Sequence, residues 1–318
     1  MNQPPNPAAE QAALPGCWWH PNRPTGLSCS RCGRPACPDC LREAPVGFQC
    51  TDCVHAGSQQ QRRQHRDYQD AGLGGMRTIA GARPSSSVLA TQAILAVNVL
   101  VFLVTVVQAR SLNDNQTSGL FQVGVLWGQA TLGAGEWWRL FTSGFLHYGP
   151  IHIAVNMFSL WMMGRALEPV FGKVRYLTLY FVSMLGASTA VLLFDSLDGG
   201  TAGASGALFG LMGAYGVIVL KLRLNPTGLI ITLALNAFIT FGVANISILG
   251  HVGGLVTGAL VTVAILYAPQ ARQATYQAAG VALLVVAMIG LLVYKDAQVA
   301  AQTCQFAQYR GEQVYSCG

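Results

Sequence analysis

Seven stretches of this chain are each near the length an α-helix needs to cross the hydrocarbon core of a bilayer: Val88–Gln108, Ile151–Phe171, Tyr176–Leu197, Ser205–Leu222, Gly228–Val243, Ile248–Tyr267 and Ala278–Tyr294. Lipid offers no partner to a backbone N–H or C=O, so segments of this kind must satisfy their own amides as helices. The fold class that follows is an all-α polytopic membrane protein. Composition agrees, since 52% hydrophobic and only 10% charged residues in 318 are not the mixture of a soluble pair of domains. Residues 1–16 carry neither a basic start nor an apolar run, so they are expected to be a disordered N-terminus without a cleavable signal peptide.

The basic residues predict which way the spans run. Arg62, Arg63, Arg66, Arg77 and Arg83 precede the first span, while Lys173 and Arg175, Lys221 and Arg223, and Arg272 fall in the connections after spans two, four and six. Connections near Asp114, Asp195 and Asp198 are poor in them. Lysine and arginine stay on the cytoplasmic side, which places the N-terminus inside and the tail after Lys295 outside. A bacterial plasma membrane is the expected location. There Cys304 and Cys317 could form a disulfide. The formal charge of +6 is absorbed by this orientation, and no nucleic acid partner is expected.

Residues 17–55 form a polar, cysteine-dense block containing CWWH, CSRC, CPDC and CTDC, so that eight soft ligands fall into four evenly spaced pairs. Tetrahedral Zn²⁺ takes four such ligands, and the block therefore suggests two structural ions stapling a small cytoplasmic domain that has no room for an ordinary core. An alternating assignment puts Cys17, His20, Cys37 and Cys40 on one ion and Cys29, Cys32, Cys50 and Cys53 on the other, which resembles the cross-braced B-box type of zinc finger. A sequential assignment is the alternative, and His55 could replace a ligand. Redox pairs and disulfides fit poorly in a segment facing a reducing compartment. Residues 56–86, without apolar periodicity, read as a flexible linker. The zinc block could dock a cytoplasmic partner, regulate the membrane portion or add stability.

Polar groups inside lipid are costly and mark a site or a path. His147 and His152 flank the outer entry to the second span, with Asn156 one turn beyond His152. Ser205 opens the fourth span and His251 lies early in the sixth, so these groups share roughly one depth. A serine among glycines ordinarily serves close helix packing, and a histidine near an interface ordinarily bonds a loop. The coincidence of Ser205 with His251 instead predicts a nucleophile and its base, with Phe209 one turn after Ser205 to pack the ring. No carboxylate stands at matching depth to complete a triad. The Ser205 amide, the Asn156 amide and the His152 ring are candidate donors to an oxyanion. Gly206, Gly210 and Gly213 on one span and Gly250, Gly254 and Gly258 on the other predict close contact of the two backbones.

Taken together, Trp138-Arg139, HYGPIHIAVN with His147, His152 and Asn156, GRALEPVFG with Gly164, Glu168 and Gly172, GASG at Gly203 to Gly206, and GHVGGLVTG with His251, Gly254 and Gly258 resemble the rhomboid family of intramembrane serine proteases, over about Leu89 to Tyr267. The resemblance implies a six-helix catalytic core, here 87–270, with a seventh transmembrane helix at 271–295 and an extracytoplasmic tail at 296–318. It also implies Ser205 as nucleophile, His251 as base, an oxyanion site of His152, Asn156 and the Ser205 amide, and Arg139 and Glu168 as structural anchors. The partners it implies are single-span membrane protein substrates within the lipid bilayer, and no cofactor is required for catalysis. Gly250 stands where many members have alanine and Phe209 where some have tyrosine. A non-catalytic rhomboid-like binding protein for membrane helices is the rival reading, but it could dispense with Ser205 or His251, and both are here. A transporter would need a polar path through the full thickness.

Overall fold

A computed structural model describes residues 14–44, 47–70, 77–83, 87–232, 234 and 247–309. The chain divides into two units, Met1–Asp70 and Ala71–Gly318.

In the first unit a two-stranded hairpin, β1 (Leu41–Glu43) and β2 (Phe48–Cys50), pairs Leu41 with Cys50 and Glu43 with Phe48. Its buried cluster is Cys17, Cys29, Ala36, Cys37, Cys40, Leu41 and Cys50, so five of its seven members are cysteines and only two are ordinary apolar side chains. Helix α1 (Thr51–Asp70) follows at once and carries Cys53 in its first turn. The stretch 56–86, expected as a linker without regular structure, is thus helical as far as Asp70. Gln and Arg are good helix formers, and a knuckle that fixes Cys50 and Cys53 supplies the costly first turn. Residues 77–83 differ as well. They make a tight turn in which the Thr78 N–H donates to the Ala82 carbonyl and the Gly81 N–H to the Thr78 carbonyl, with Ala80 fully buried.

The second unit is a helical bundle. Helix α2 (Leu89–Ala109) leads through short α3 (Gly119–Gly124), strand β3 (Leu126–Trp127) and short α4 (Arg139–Thr142) to the long α5 (Gly149–Phe194). Strand β4 (Gly200–Thr201), paired antiparallel with β3, precedes α6 (Ser205–Leu222), and α7 (Ile248–Leu266) and α8 (Gln273–Tyr309) complete the described residues. Among the described residues, five helices are long and apolar enough to cross a membrane. One of them, α5, has 46 residues, about 69 Å of helix, which is twice a bilayer's hydrocarbon core. It breaks at Gly172 (φ 71°, ψ 161°) into two crossings, as the separate second and third spans anticipated. A Cβ at Gly172 would lie 2.7 Å from that of Ala82, so this position needs glycine on two counts. The protein is therefore a multi-pass membrane protein.

Helix α5 is the centre of the bundle, 67% buried over its most apolar window, and α8 is peripheral at 17%. Leu160, Leu167, Phe171, Tyr176, Leu179, Tyr180, Leu211, Val261 and Ile265 fill the core between α5, α6 and α7. The expected seventh helix is longer than 271–295, because α8 continues to Tyr309. No glycine or proline interrupts the sequence between Gly290 and Tyr309, so nothing stops the helix where the apolar run ends. Of the expected span Gly228–Val243 only the beginning lies within the described residues, and the expected N-terminal segment 1–16 falls almost wholly outside them. The pairing of Cys304 with Cys317 also lies outside the described residues.

Candidate active site

Ser205 is the first residue of α6, and no side chain caps that helix. The turn before it is shaped by Gly203, whose φ of 132° suits only glycine and whose absent Cβ would stand 2.9 Å from both Cε1 and Nε2 of His152. The Gly203 N–H donates to the Ser143 carbonyl (2.9 Å) and the Ala204 N–H to His147 Nε2 (3.5 Å). His147 itself is 1% exposed, so it serves as a buried prop beneath the serine turn.

His251 stands early in α7, whose N-terminus is capped by Ser247 accepting from the Gly250 N–H. Its Nε2 lies 2.8 Å from Ser205 Oγ. The Phe209 ring stacks on the imidazole at 4.0 Å between centroids and 13° between planes, which fixes the ring's orientation. Glycines bring the two helices together. A Cβ on Gly254 would collide with the Gly206 carbonyl, one on Gly258 with the Gly210 carbonyl, and one on Gly213 with the Leu255 carbonyl. Backbone therefore touches backbone along this seam.

His152 faces the same space from the start of α5. Its Nδ1 accepts the Tyr148 N–H at 3.2 Å, so in the neutral ring the proton belongs on Nε2, one of the two ring atoms beside Gly203. The Tyr148 hydroxyl donates to the Gly200 carbonyl (2.9 Å) and ties the start of α5 to β4. A small cavity of about 50 Å³ lies among Ser143, Met184, Gly203, Ser205, Ser247 and His251, and His152 also lines it. That is room for a few water molecules. The arrangement places a serine hydroxyl, an imidazole acceptor and a second imidazole donor around one pocket with space for water.

Asn156 is not among the residues lining that cavity. Its Nδ2 donates to the His152 carbonyl at 2.8 Å, one turn back on the same helix. Ser143, Ser247 and Met184 line the pocket without any signal in the sequence that singles them out. Asn115 was also missed. Fully buried, it donates to Thr105 Oγ1 and the His147 carbonyl and accepts from the Gly149 N–H, pinning the turn that aims the two histidines.

The expected anchors lie away from the cavity. Glu168, 1% exposed, accepts from the Ala90 N–H (3.0 Å), the Thr91 N–H (2.8 Å) and the Thr91 hydroxyl (2.8 Å), so its carboxylate caps the N-terminus of α2. Arg139 donates to the carbonyls of Gln122 and Val125 and pairs with Glu136 at 2.5 Å. Trp138 is half exposed and donates to the Val123 carbonyl.

In the first unit the four knuckles converge in two clusters, Cys17, His20, Cys37 and Cys40, and Cys29, Cys32, Cys50 and Cys53, each with its donor atoms within 4.8 Å of one another. This is the alternating arrangement, and His55 belongs to neither cluster. The sulfurs of Cys17, Cys37 and Cys40 lie 3.8, 3.5 and 3.4 Å from His20 Nδ1, and Cys37 and Cys40 are 3.7 Å apart. Tetrahedral ligands about 2.3 Å from a zinc ion are about 3.7 Å apart, so the donor sets fit the ion. Burial, the largest influence, pushes the Cys17 thiol up, yet backbone N–H groups at Cys37, Trp19 and His20 bring it down to about 6. Cys29 is likewise brought to about 6 against burial by the backbone at Cys50, Cys32 and Arg31, which favours the thiolate form of both residues at neutral pH.

Residues 134–268 match the family described as the Rhomboid domain. The chain is 33% identical to the rhomboid protease GluP of Bacillus subtilis over 209 residues, 64% of this chain and 40% of that protein. It is 37% identical over 133 residues to the putative rhomboid protease YdcA of the same organism, covering 40% of this chain and 67% of the relative. With the rhomboid protease AarA of Providencia stuartii it shares 29% over 210 residues, 56% of this chain and 73% of the other. The chain thus spans well under half the length of GluP, and the cysteine clusters lie outside the matched domain.

Proposed function

The chain belongs to the rhomboid family, and from that premise we propose that it is an intramembrane serine endopeptidase, cutting membrane-spanning helices near the outer face through a dyad of Ser205 and His251. The observation that carries this is the 2.8 Å approach of His251 Nε2 to Ser205 Oγ. Ser205 Oγ attacks the scissile carbonyl carbon as His251 Nε2 takes its proton, and the resulting imidazolium returns that proton to the departing amine. A water molecule, deprotonated in turn by His251, then attacks the acyl-enzyme and releases the acid with Ser205 restored. The oxyanion formed in each half-reaction is met by the Ser205 N–H at the positive end of α6 and by the proton on His152 Nε2. His152 is a catalytic residue in this scheme, and Asn156, bonded to its carbonyl, is a positioning residue.

A substrate helix has its carbonyls occupied by its own amides, so it must unwind locally before Ser205 can reach one. Single-span proteins whose helices are weak near their outer ends are therefore the expected substrates. The excess of lysine and arginine in the connections read as inner supports a cytoplasmic first unit and an outward-facing Ser205. Two Zn²⁺ ions, one held by Cys17, His20, Cys37 and Cys40 and the other by Cys29, Cys32, Cys50 and Cys53, staple the first unit and take no part in hydrolysis.

The test is cleavage of a model single-span substrate by the purified full chain beside Ser205→Ala and His251→Ala. Loss of more than about 10³-fold in each is expected, at unchanged thermal stability. Equal product from all three would remove the enzyme.

A further inference from the structure

The end of the bundle away from Ser205 holds a second and larger cleft, of about 660 Å³. It lies where the turn at 77–83, the α5 break and the start of α8 meet, and its charged lining is three arginines from three separate segments, Arg77, Arg175 and Arg272. Among the described residues no carboxylate lines it and none of the three arginines enters an ion pair. Three converging cations repel one another unless an anion joins them.

The cleft is built rather than incidental. Arg175 Nε donates to Gln277 Oε1 at 2.8 Å, and the same buried Gln277 donates from Nε2 to the carbonyls of Ala80 (3.1 Å) and Ile265 (2.9 Å). One amide thus locks the turn, α7 and α8 around the Arg175 fork, whose two Nη atoms have no partner among the described residues. Arg272 has no described partner either, and Arg77 reaches only the Gly81 carbonyl at 3.5 Å. Gly81, at φ 79°, passes so near Gln273 that any Cβ would collide with that side chain. The first residues of the 37-residue α8, Gln273 to Thr275, complete the lining and add the positive end of a helix.

We infer that this cleft binds the phosphate groups of an anionic phospholipid headgroup at the membrane face opposite the serine. Guanidinium forks match phosphate oxygens in pairs, three cations exceed what a single carboxylate would balance, and the cleft lies at span ends where headgroups lie. A headgroup with two phosphates is the better charge match. The site stands independently of the proteolytic reading.

Native mass spectrometry of the full chain in neutral detergent reads it directly, titrating cardiolipin, phosphatidylglycerol, phosphatidylcholine and inorganic phosphate in separate arms. Wild type should retain cardiolipin over phosphatidylcholine, and Arg77→Gln/Arg272→Gln, which leaves the Arg175–Gln277 lock in place, should weaken that retention about fivefold per arginine. Arg165→Gln, a substitution elsewhere on α5, should leave it unchanged. Displacement of cardiolipin by millimolar inorganic phosphate would show that the cleft takes the phosphate itself, and its failure would show that the lipid source is required. Equal cardiolipin retention by wild type and the double variant, with neither responding to phosphate, would overturn the inference.

Discussion

On the proposed reading the two units of this protein are each stabilised by opposite means. In the first, the buried cluster is mostly the cysteines proposed to hold zinc, with Ala36 and Leu41 as its other members. In the second, apolar side chains and touching backbones do the work, and ligands are absent from its core cluster. The difference follows from what each segment can bury. Some 40 residues of polar chain cannot remove enough apolar surface from water to offset conformational entropy, whereas spans in lipid gain most from shape. Stability is therefore concentrated in a few bonds in one unit and spread over many contacts in the other.

The strongest test of that contrast is metal removal. Chelation, or Cys50→Ser, should unfold the first unit outright, a loss on the order of 10 kcal/mol per ion, and release about two Zn²⁺ per chain. Circular dichroism of the first unit should collapse while cleavage by the bundle persists, and parallel loss of both would erase the distinction. The bundle has its own concentrated point in Glu168. Glu168→Ala strands two buried amides and a hydroxyl at the start of α2, and we expect about 3 to 5 kcal/mol lower stability by thermal unfolding in detergent. Within the active site, His152→Ala should lower turnover by about 10² to 10³, roughly 3 kcal/mol, without moving the melting temperature. Asn156→Ala should cost less than about tenfold, since it acts only through the His152 carbonyl, and a larger loss from Asn156 would reverse that order. Gly254→Ala should cost about 1 to 3 kcal/mol of overpacking, and it should also reduce kcat because it separates the helices that carry Ser205 and His251.

Much of this was legible in the sequence because it is local or periodic. Apolar run length marks the spans, CxxC spacing marks ligand pairs, and glycines at three- and four-residue intervals mark the seam between α6 and α7. The approach of Ser205 to His251 follows from those intervals, since each residue sits near one end of a glycine row. What was not legible depends on polar side chains bonding distant backbone. Gln277 reaches Ala80 across 197 positions of sequence, and Asn115 gathers Thr105, His147 and Gly149. Neither has neighbours in sequence that betray it. Asn156 shows the converse, because helical spacing sets it one turn beyond His152 but does not say that its amide is spent on that helix's own carbonyl. Helix α1 escaped notice because its residues carry no apolar stripe, and the knuckle that starts it is set by ligand geometry.

The seam of Gly206, Gly210 and Gly213 against Gly254 and Gly258 bears on how the protein would meet membranes of differing thickness. A helix mismatched to its lipid tilts or slides, and neighbours joined by flexible side chains do so separately. Two rods in peptide-to-peptide contact must tilt as one bar. Bilayer thickness should accordingly alter how a substrate is presented at the mouth of the pocket, while the reacting oxygen and nitrogen keep their spacing.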